Sequence, residues 1–351
     1  MGEFEFIQRF CTSLGAHDDS VVVGVGDDAA IVDVPANQNL LVSTDTMNVD
    51  QHFYADANPA DLAHKLIHTN VSDIAAMGGQ AKWATVALSL SKMNPVWLEQ
   101  FSTGLNQCAT DIGLAIIGGD TTKGPLSMSL TIMGTVAKGQ GVLRSGAQPN
   151  DLICVTGVLG GAAAGLNIVQ SKRTDLNNAV EETKETPRFD QFLIDQFDQS
   201  SINQLVSCLN RPEAQHQVGR SLAGYANSCI DLSDGLAGDL HHILRASRVN
   251  ASLDWAAIPC HPILSFLAKS KPEQLQQLIL YGGEDYQLAF TISENQFDQW
   301  RRDHSSLIKH VSQIGRVGTL LSEEQTKDDV KLVLVNGDSN VELKPYAFQH
   351  F

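Results

Sequence analysis

The chain has 351 residues, with 40 acidic side chains against 24 Lys and Arg and a formal net charge of -16. A hydrophobic fraction of 43% can offset chain entropy, which excludes disorder as the main state, and a length beyond ~250–300 residues favours two domains over one core. The negative field repels polyanions, so the composition argues against a nucleic-acid or anionic-membrane partner, and a phosphate ligand has to bring its own countercharge.

The N-terminus, Met1-Gly2-Glu3-Phe4-Glu5, lacks a basic region and an apolar leader, which predicts a cytoplasmic protein. From there, Val21-Val22-Val23, Leu40-Leu41-Val42, Trp83 to Leu90, Leu114 to Ile117 and Ser127 to Val136 read as strands. Pro59 opens a helix with Leu62, Leu66, Ile67, Ile74 and Met77 on one stripe, ended by Gly78-Gly79. A second helix starts at Pro95, carries Trp97, Leu98, Phe101, Leu105, Cys108 and Ile112 inward, and ends at Gly113. These elements predict an α/β domain over residues 1–150.

A second unit, 151–351, begins with the strand Asp151 to Thr156 and a Gly/Ala-rich helix within Gly157 to Val169. Residues 171–217 are rich in Gln, Asp and Glu and read as a polar surface excursion. Beyond it come Cys229-Ile230-Asp231, a helix with Leu236, Leu240, Ile243 and Leu244, the run Leu278 to Leu280, the strand Gln287 to Ile292, and a last strand from Lys331 to Val335. Six widely spaced cysteines without a C-x-x-C suggest neither a zinc knuckle nor a disulfide framework, and they read as small buried hydrophobes.

The carboxylates carry the functional signal. Gly26-Asp27-Asp28, Ser43-Thr44-Asp45-Thr46, Gly118-Gly119-Asp120-Thr121-Thr122, Asp231-Leu232-Ser233-Asp234-Gly235 and Gly282-Gly283-Glu284-Asp285-Tyr286 each follow an apolar run, which predicts a carboxylate at a strand end. Asp73 joins them from the helix that begins at Pro59. In α/β architecture that rim gathers ligands, because its loops leave backbone N–H groups free. Converging acids repel and raise one another's pKa, and hard divalent cations remove that cost. The pattern predicts a magnesium-bridged phosphate site. A single Asp beside Gly is ordinary turn chemistry; five in succession, with Ser and Thr adjacent, favour function.

Other motifs fare worse. Gly24-x-Gly26-x-x-Ala29 imitates a dinucleotide fingerprint, but Pro35 and Asn37 leave no room for a crossover helix before Leu40. A P-loop sequence is missing, and His64 and His68, spaced i, i+4 without H-E-x-x-H, read as ordinary helix residues.

Taken together in order, Gly24 to Ala29, Ser43 to Thr46 with His52-Phe53, Asn70 to Gly78, Gly118 to Thr122, Asp231 to Gly235 and Gly282 to Tyr286 closely resemble the thiamine-monophosphate kinases, of the aminoimidazole ribonucleotide synthetase-like superfamily. The resemblance implies a two-domain α/β (α+β) fold, with a mixed N-terminal sheet and helices, an N-terminal ATP- and Mg-binding domain, a C-terminal α/β domain contributing to the thiamine monophosphate site, and a homodimer built through the N-terminal sheets. It implies that Asp27, Asp28, Ser43, Thr44, Asp45, Asp73, Asp120, Asp231 and Asp234 hold several Mg²⁺ ions, with Asp45, Asp120, Asp231 and Asp234 catalytic. It further implies that Gly119, Asp120, Arg144 and Ser233 contact ATP, and that His52, Glu284 and Phe348 meet thiamine monophosphate.

The implied reaction is direct in-line transfer of the ATP γ-phosphoryl group to thiamine monophosphate, giving thiamine diphosphate. Within the superfamily, a selenophosphate synthetase would need a reactive N-terminal Cys, and Cys11 has no lysine nearby. The hydrogenase-maturation relative needs a C-terminal Cys, whereas this sequence ends in Phe351. An aminoimidazole ribonucleotide synthetase, or a non-catalytic Mg-nucleotide binding module, is the alternative that an assay separates.

Overall fold

The computed structural model describes residues 14–177, 189, 191–322 and 324–345. The chain divides after Gly141 into two compact units. The sequence placed this division at 150, but the connecting segment is hydrogen-bonded to the second unit. Leu143 O accepts from Cys229 N (2.9 Å), and Asn150 N donates to Val317 O (2.9 Å). Gly146 N and Ala147 N also share Ser247 Oγ, both at 3.1 Å.

The first unit is a mixed sheet with a helical layer. Strands β1 (Val21–Val23) and β2 (Ile31–Val32) pair antiparallel as a separate ribbon, so the region that imitates a dinucleotide fingerprint has no crossover helix. The main sheet takes β3 (Gln38–Asn48), β4 (Gln80–Leu90), β5 (Ala115–Lys123) and β6 (Ser127–Ala137) in the order β3-β6-β4-β5, with β4 and β5 parallel and the rest antiparallel.

Two helices of the expected extent, Pro59–Ala76 and Pro95–Ile112, pack against each other, the first also lying on β3, β4 and β6. Each starts with proline at a position needing no N–H, behind an Asn whose side chain caps the first turn: Asn58 Oδ1 accepts from Ala60 N (2.9 Å) and Asn94 Oδ1 from Val96 N (3.1 Å). Gly113, at φ 76°, ends the second in the left-handed conformation. On the sheet's other face the β1–β2 ribbon covers Trp83, Ala115 and Ile117 with Val21, Ala30 and Val32, while Leu40 and Val42 of the edge strand stay 45% and 60% exposed.

The second unit holds β7 (Leu152–Thr156), β8 (Ser228–Asp231), β9 (Val249–Asp254), β10 (Leu288–Ile292), β11 (Val311–Leu320), β12 (Leu332–Asn336) and β13 (Ser339–Leu343). Their order is β13-β12-β9-β11-β7-β10-β8, with only β9 and β12 parallel. Helices Gly161–Asn177, Gln199–Asn210, Leu236–Ser247 and Pro272–Leu280 accompany this sheet, and Ala164, Leu205, Leu240, Leu244 and Ile279 belong to one buried cluster with Ile153, Val155, Leu253 and Leu332.

The reading of 171–217 as a surface excursion is corrected for its described residues: Phe189, Leu193, Phe197, Ile202 and Leu205 lie in that same core cluster. The Gly/Ala-rich helix owes its composition to this packing. A Cβ on Gly165 would sit 2.2 Å from Leu205 O, so only glycine lets the two helices approach this closely. Among the described residues no helix is long and apolar enough to cross a membrane.

Candidate active site

The edge strand β3 organises the first cluster. Asp45 lies opposite Leu130 of β6, and its own N–H turns outward to Asn70 Oδ1 at 3.1 Å. Asn70, fully buried, is fixed in turn by its Nδ2 donating to Leu66 O (2.9 Å) one turn back on its helix. An edge-strand N–H that would otherwise lack a partner is thus satisfied by a helix side chain. Ser43, two residues from Asp45 and so on the same face, donates its hydroxyl to Asp73 Oδ2 at 2.5 Å. Strand alternation and one helix turn therefore bring Ser43, Asp45 and Asp73 together.

This grouping is electrostatically unfavourable by itself. The Asp45 carboxyl is pushed up to about 6, first by burial and then by the negative charge of Asp73. Two carboxylates and a hydroxyl, all oxygen donors in a partly enclosed place, fit a hard divalent cation such as Mg²⁺. The rest of the predicted set in this unit stands elsewhere. Thr44 points to the opposite face of β3, where its hydroxyl meets Thr131 Oγ1 at 2.8 Å. Asp120, exposed, pairs in register with Ala87, which pairs with Ser129, itself opposite Thr46; it shares the face of Thr44, not that of Asp45. With β3 and β5 at opposite edges of the sheet, three strand spacings of ~4.8 Å separate them by about 14 Å.

Gly119 has a structural reason of its own, since a Cβ there would lie 2.0 Å from Val86 O. Asp27 and Asp28 are exposed in the turn after β1, where Asp28 N donates to Asp27 Oδ1 (2.8 Å). His52 follows β3 and accepts from Asn48 N through Nδ1 (3.1 Å).

In the second unit two loops interlock. Asp231, buried, ends β8, and the segment after it pairs with the one before β10: Glu284 N donates to Ser233 O (2.8 Å), Tyr286 N to Leu232 O (2.9 Å) and Leu232 N to Gln287 O (2.7 Å). Glu284 and Tyr286 take left-handed backbone, φ 71° and 47°, to make this turn. Ser233, Asp234 and Glu284 are thereby gathered with Asp231. Arg144 is exposed, and its charge, together with burial as the larger cause, depresses the pKa of His242, a residue that Asp234 influences in the opposite sense.

Two acids without a role in the sequence reading underpin these loops. Asp239 Oδ2 accepts from Asp234 N (3.0 Å) and Gly235 N (3.1 Å), and its carboxyl is pushed up to about 7, chiefly by burial and further by Asp234 and Asp231. Asp285 accepts from Gly160 N (2.8 Å) and Ala162 N (3.3 Å), capping the Gly/Ala-rich helix, and is likewise raised to about 7 by burial, with the charge of Glu284 adding. Asp239 sits five residues after Asp234, one helical turn inside the helix, and that spacing was the available signal.

The strand-end expectation holds for Asp231, at the end of β8, and for Asp27 and Asp28, in the turn after β1, and is corrected for the other three motifs. Asp45 and Asp120 lie inside β3 and β5, because β-branched threonines continue both strands past the carboxylate, and the Gly282 to Tyr286 turn follows a helix, not a strand. Phe348 lies outside the described residues.

Residues 26–136 match the family described as AIR synthase related protein, N-terminal domain. Over 293 residues the chain is 41% identical to thiamine-monophosphate kinase of Escherichia coli strain K12, covering 84% of this chain and 83% of that one. Among solved structures, thiamine-monophosphate kinase from Stenotrophomonas maltophilia K279a superposes with a TM-score of 0.75 at 34% identity, covering 90% of this chain and 92% of that one. A structure described as AaThiL complexed with AMPPCP and TMP gives a TM-score of 0.71 at 26% identity, covering 91% and 89%. Two carboxylate clusters, one in each unit, thus occur in a chain that belongs to the thiamine-monophosphate kinase family.

Proposed function

We infer that this chain transfers the γ-phosphoryl group of ATP to thiamine monophosphate, yielding thiamine diphosphate and ADP. The observation that carries the reading is the pairing of Asp45 with Asp73, acids that need a countercharge, in a chain matching a thiamine-monophosphate kinase over 84% of its length. The relative described with AMPPCP and TMP supports the same two substrates.

The acceptor is a phosphate monoester with a second pKa near ~6, so its attacking oxygen is already largely ionised at neutral pH and no strong general base is required. What limits the reaction is the repulsion between two polyanions. Transfer is direct and in line, with no phosphoenzyme. Ser43, Asp45, Asp73, Asp27, Asp28, Thr44 and Asp120 in one unit and Asp231 and Asp234 in the other are assigned to hold Mg²⁺, with Asp45, Asp120, Asp231 and Asp234 closest to the chemistry. Bound there, magnesium supplies charge neutralisation for the phosphate oxygens and orients them. Gly119, Asp120, Arg144 and Ser233 are assigned to ATP. His52, Glu284 and Phe348 are assigned to thiamine monophosphate.

Asn70 and Asp239 hold the backbones that carry these groups: the first fixes the Asp45 N–H, the second the N–H groups of Asp234 and Gly235. The chain forms a homodimer through its N-terminal sheet, a reading supported by the exposed Leu40 and Val42. A cytoplasmic location suits its free thiols, five of them among the described residues.

The test is an ADP-release assay with ATP and thiamine monophosphate, with the product identified chromatographically. Thiamine diphosphate formed in equal amount with ADP is expected. ATP binding without ADP release would turn the reading to a binding module, and ADP release only with an aminoimidazole precursor amide would turn it to the synthetase alternative.

A further inference from the structure

The helix pair of the first unit contains a set of donors that phosphoryl transfer does not use. His64 and His68 are spaced i, i+4 on the helix Pro59–Ala76, which places both on one side, and Cys108 comes from the facing helix Pro95–Ile112. One donor atom from each of the three lies within 4.8 Å of the other two. All are buried, at 5%, 6% and 6% exposure.

The donor types matter more than their number. Two imidazoles and a thiol are borderline-to-soft ligands, whereas the acids and hydroxyls assigned to magnesium are hard oxygen ligands, so the two places select different cations. In the structure the imidazoles stack with centroids 4.1 Å apart and planes 20° apart. A shared ion therefore requires one ring to turn until its in-plane lone pair meets that of the other. With the thiol ionised, a divalent ion on these three groups keeps a single positive charge, and its fourth position is left to a water or a further donor.

We propose that His64, His68 and Cys108 form a soft-metal site that takes Zn²⁺ and ties the two helices together. The site is separate from the carboxylates assigned to magnesium and does not depend on the phosphotransfer reading. Binding releases the thiol proton and cross-links a helix that also carries Asn70 and Asp73, so it stiffens the support of the Asp45 cluster.

The experiment uses the full chain, stripped with a chelator and titrated with Co²⁺ alone in the presence of excess Mg²⁺, which occupies the hard sites. Expected is a thiolate-to-cobalt charge-transfer band saturating at one equivalent, abolished by one equivalent of Zn²⁺ and missing in Cys108→Ser. His68→Gln should weaken Co²⁺ binding by about tenfold or more. Cys108→Ser is scored only where its circular dichroism matches the parent. The unmodified chain gives a second readout: X-ray absorption at one equivalent of zinc should show one sulfur at about 2.3 Å and two imidazole nitrogens at about 2.0–2.1 Å. A band that persists in folded Cys108→Ser, no band at all, or zinc coordinated by oxygen and nitrogen only would overturn the site.

Discussion

Replacing Asp45 by Asn should make the metal-free protein more stable while disabling it. Burial and the neighbouring Asp73 lift the Asp45 carboxyl from 3.8 to about 6. At ~1.36 kcal/mol for each tenfold change in proton affinity, ionised Asp45 costs the folded chain about 3 kcal/mol above pH 7. Asn keeps the shape and removes the charge. Desolvating its amide offsets part of the gain, so about 3 kcal/mol is an upper bound, equivalent to a rise of at most about 10 °C in Tm.

The sign follows from proton binding. Between pH 4 and 6 the folded wild type holds a proton that the unfolded chain has lost, so wild-type stability declines as pH rises through that window. Asp45→Asn has no such group. The gap between the two should be small at pH 4, open through pH 5 to 6, and level off above pH 7. Thermal unfolding in EDTA at several pH values measures it, and turnover in Mg²⁺ should fall by ~100-fold or more. A pH-independent gap, or a variant less stable than wild type at pH 7.5, would refute the view that Asp45 and Asp73 form a repulsive pair awaiting a cation.

Asn70→Ala removes the acceptor for the Asp45 N–H and should destabilise the first unit by ~1–3 kcal/mol in urea unfolding; an unchanged midpoint would show that water replaces the side chain freely. Gly119→Ala places a Cβ 2.0 Å from Val86 O and should cost ~3 kcal/mol or more or abolish folding, so a soluble variant with wild-type Tm contradicts the packing given for β4 and β5. Asp285→Ala strips the cap from the Gly/Ala-rich helix and should cost ~1–2 kcal/mol, whereas Asp285→Asn, which retains an acceptor, should lose less; equal losses would contradict the capping role.

The two helices of the first unit were legible because their ends are written locally, with Asn and Pro at the start and glycine at the close. Strand β11 was not, because irregular register between Gln313 and Gly315 and again between Val317 and Leu320 breaks the period-2 pattern that a sequence reading counts. Strand β9 alternates buried Val249, Ala251 and Leu253 with Asn250 and Ser252, a pattern weakened by its small side chains. The Gln/Asp/Glu-rich stretch hid core residues such as Phe197 and Leu205 among polar ones.

At the site, the motifs identified which acids matter, but which face each occupies depends on register. Alternation separates Thr44 from Ser43 and Asp45 once β3 is known to continue through them, but only the registers of β3 with β6 and of β4 with β6 and β5 put Asp120 on the face of Thr44. The bond from Asn70 to the Asp45 N–H is a tertiary contact that no local pattern encodes, whereas those of Asp239 reach back only four and five residues and were open to a reading of the spacing.

The most direct test of the account is thiamine monophosphate-dependent ADP release as free Mg²⁺ is varied in a chelator-buffered assay. No turnover at vanishing Mg²⁺, with activity restored on its return and lost in Asp45→Asn at every concentration, is the predicted result. Full-rate transfer in the chelator would contradict it.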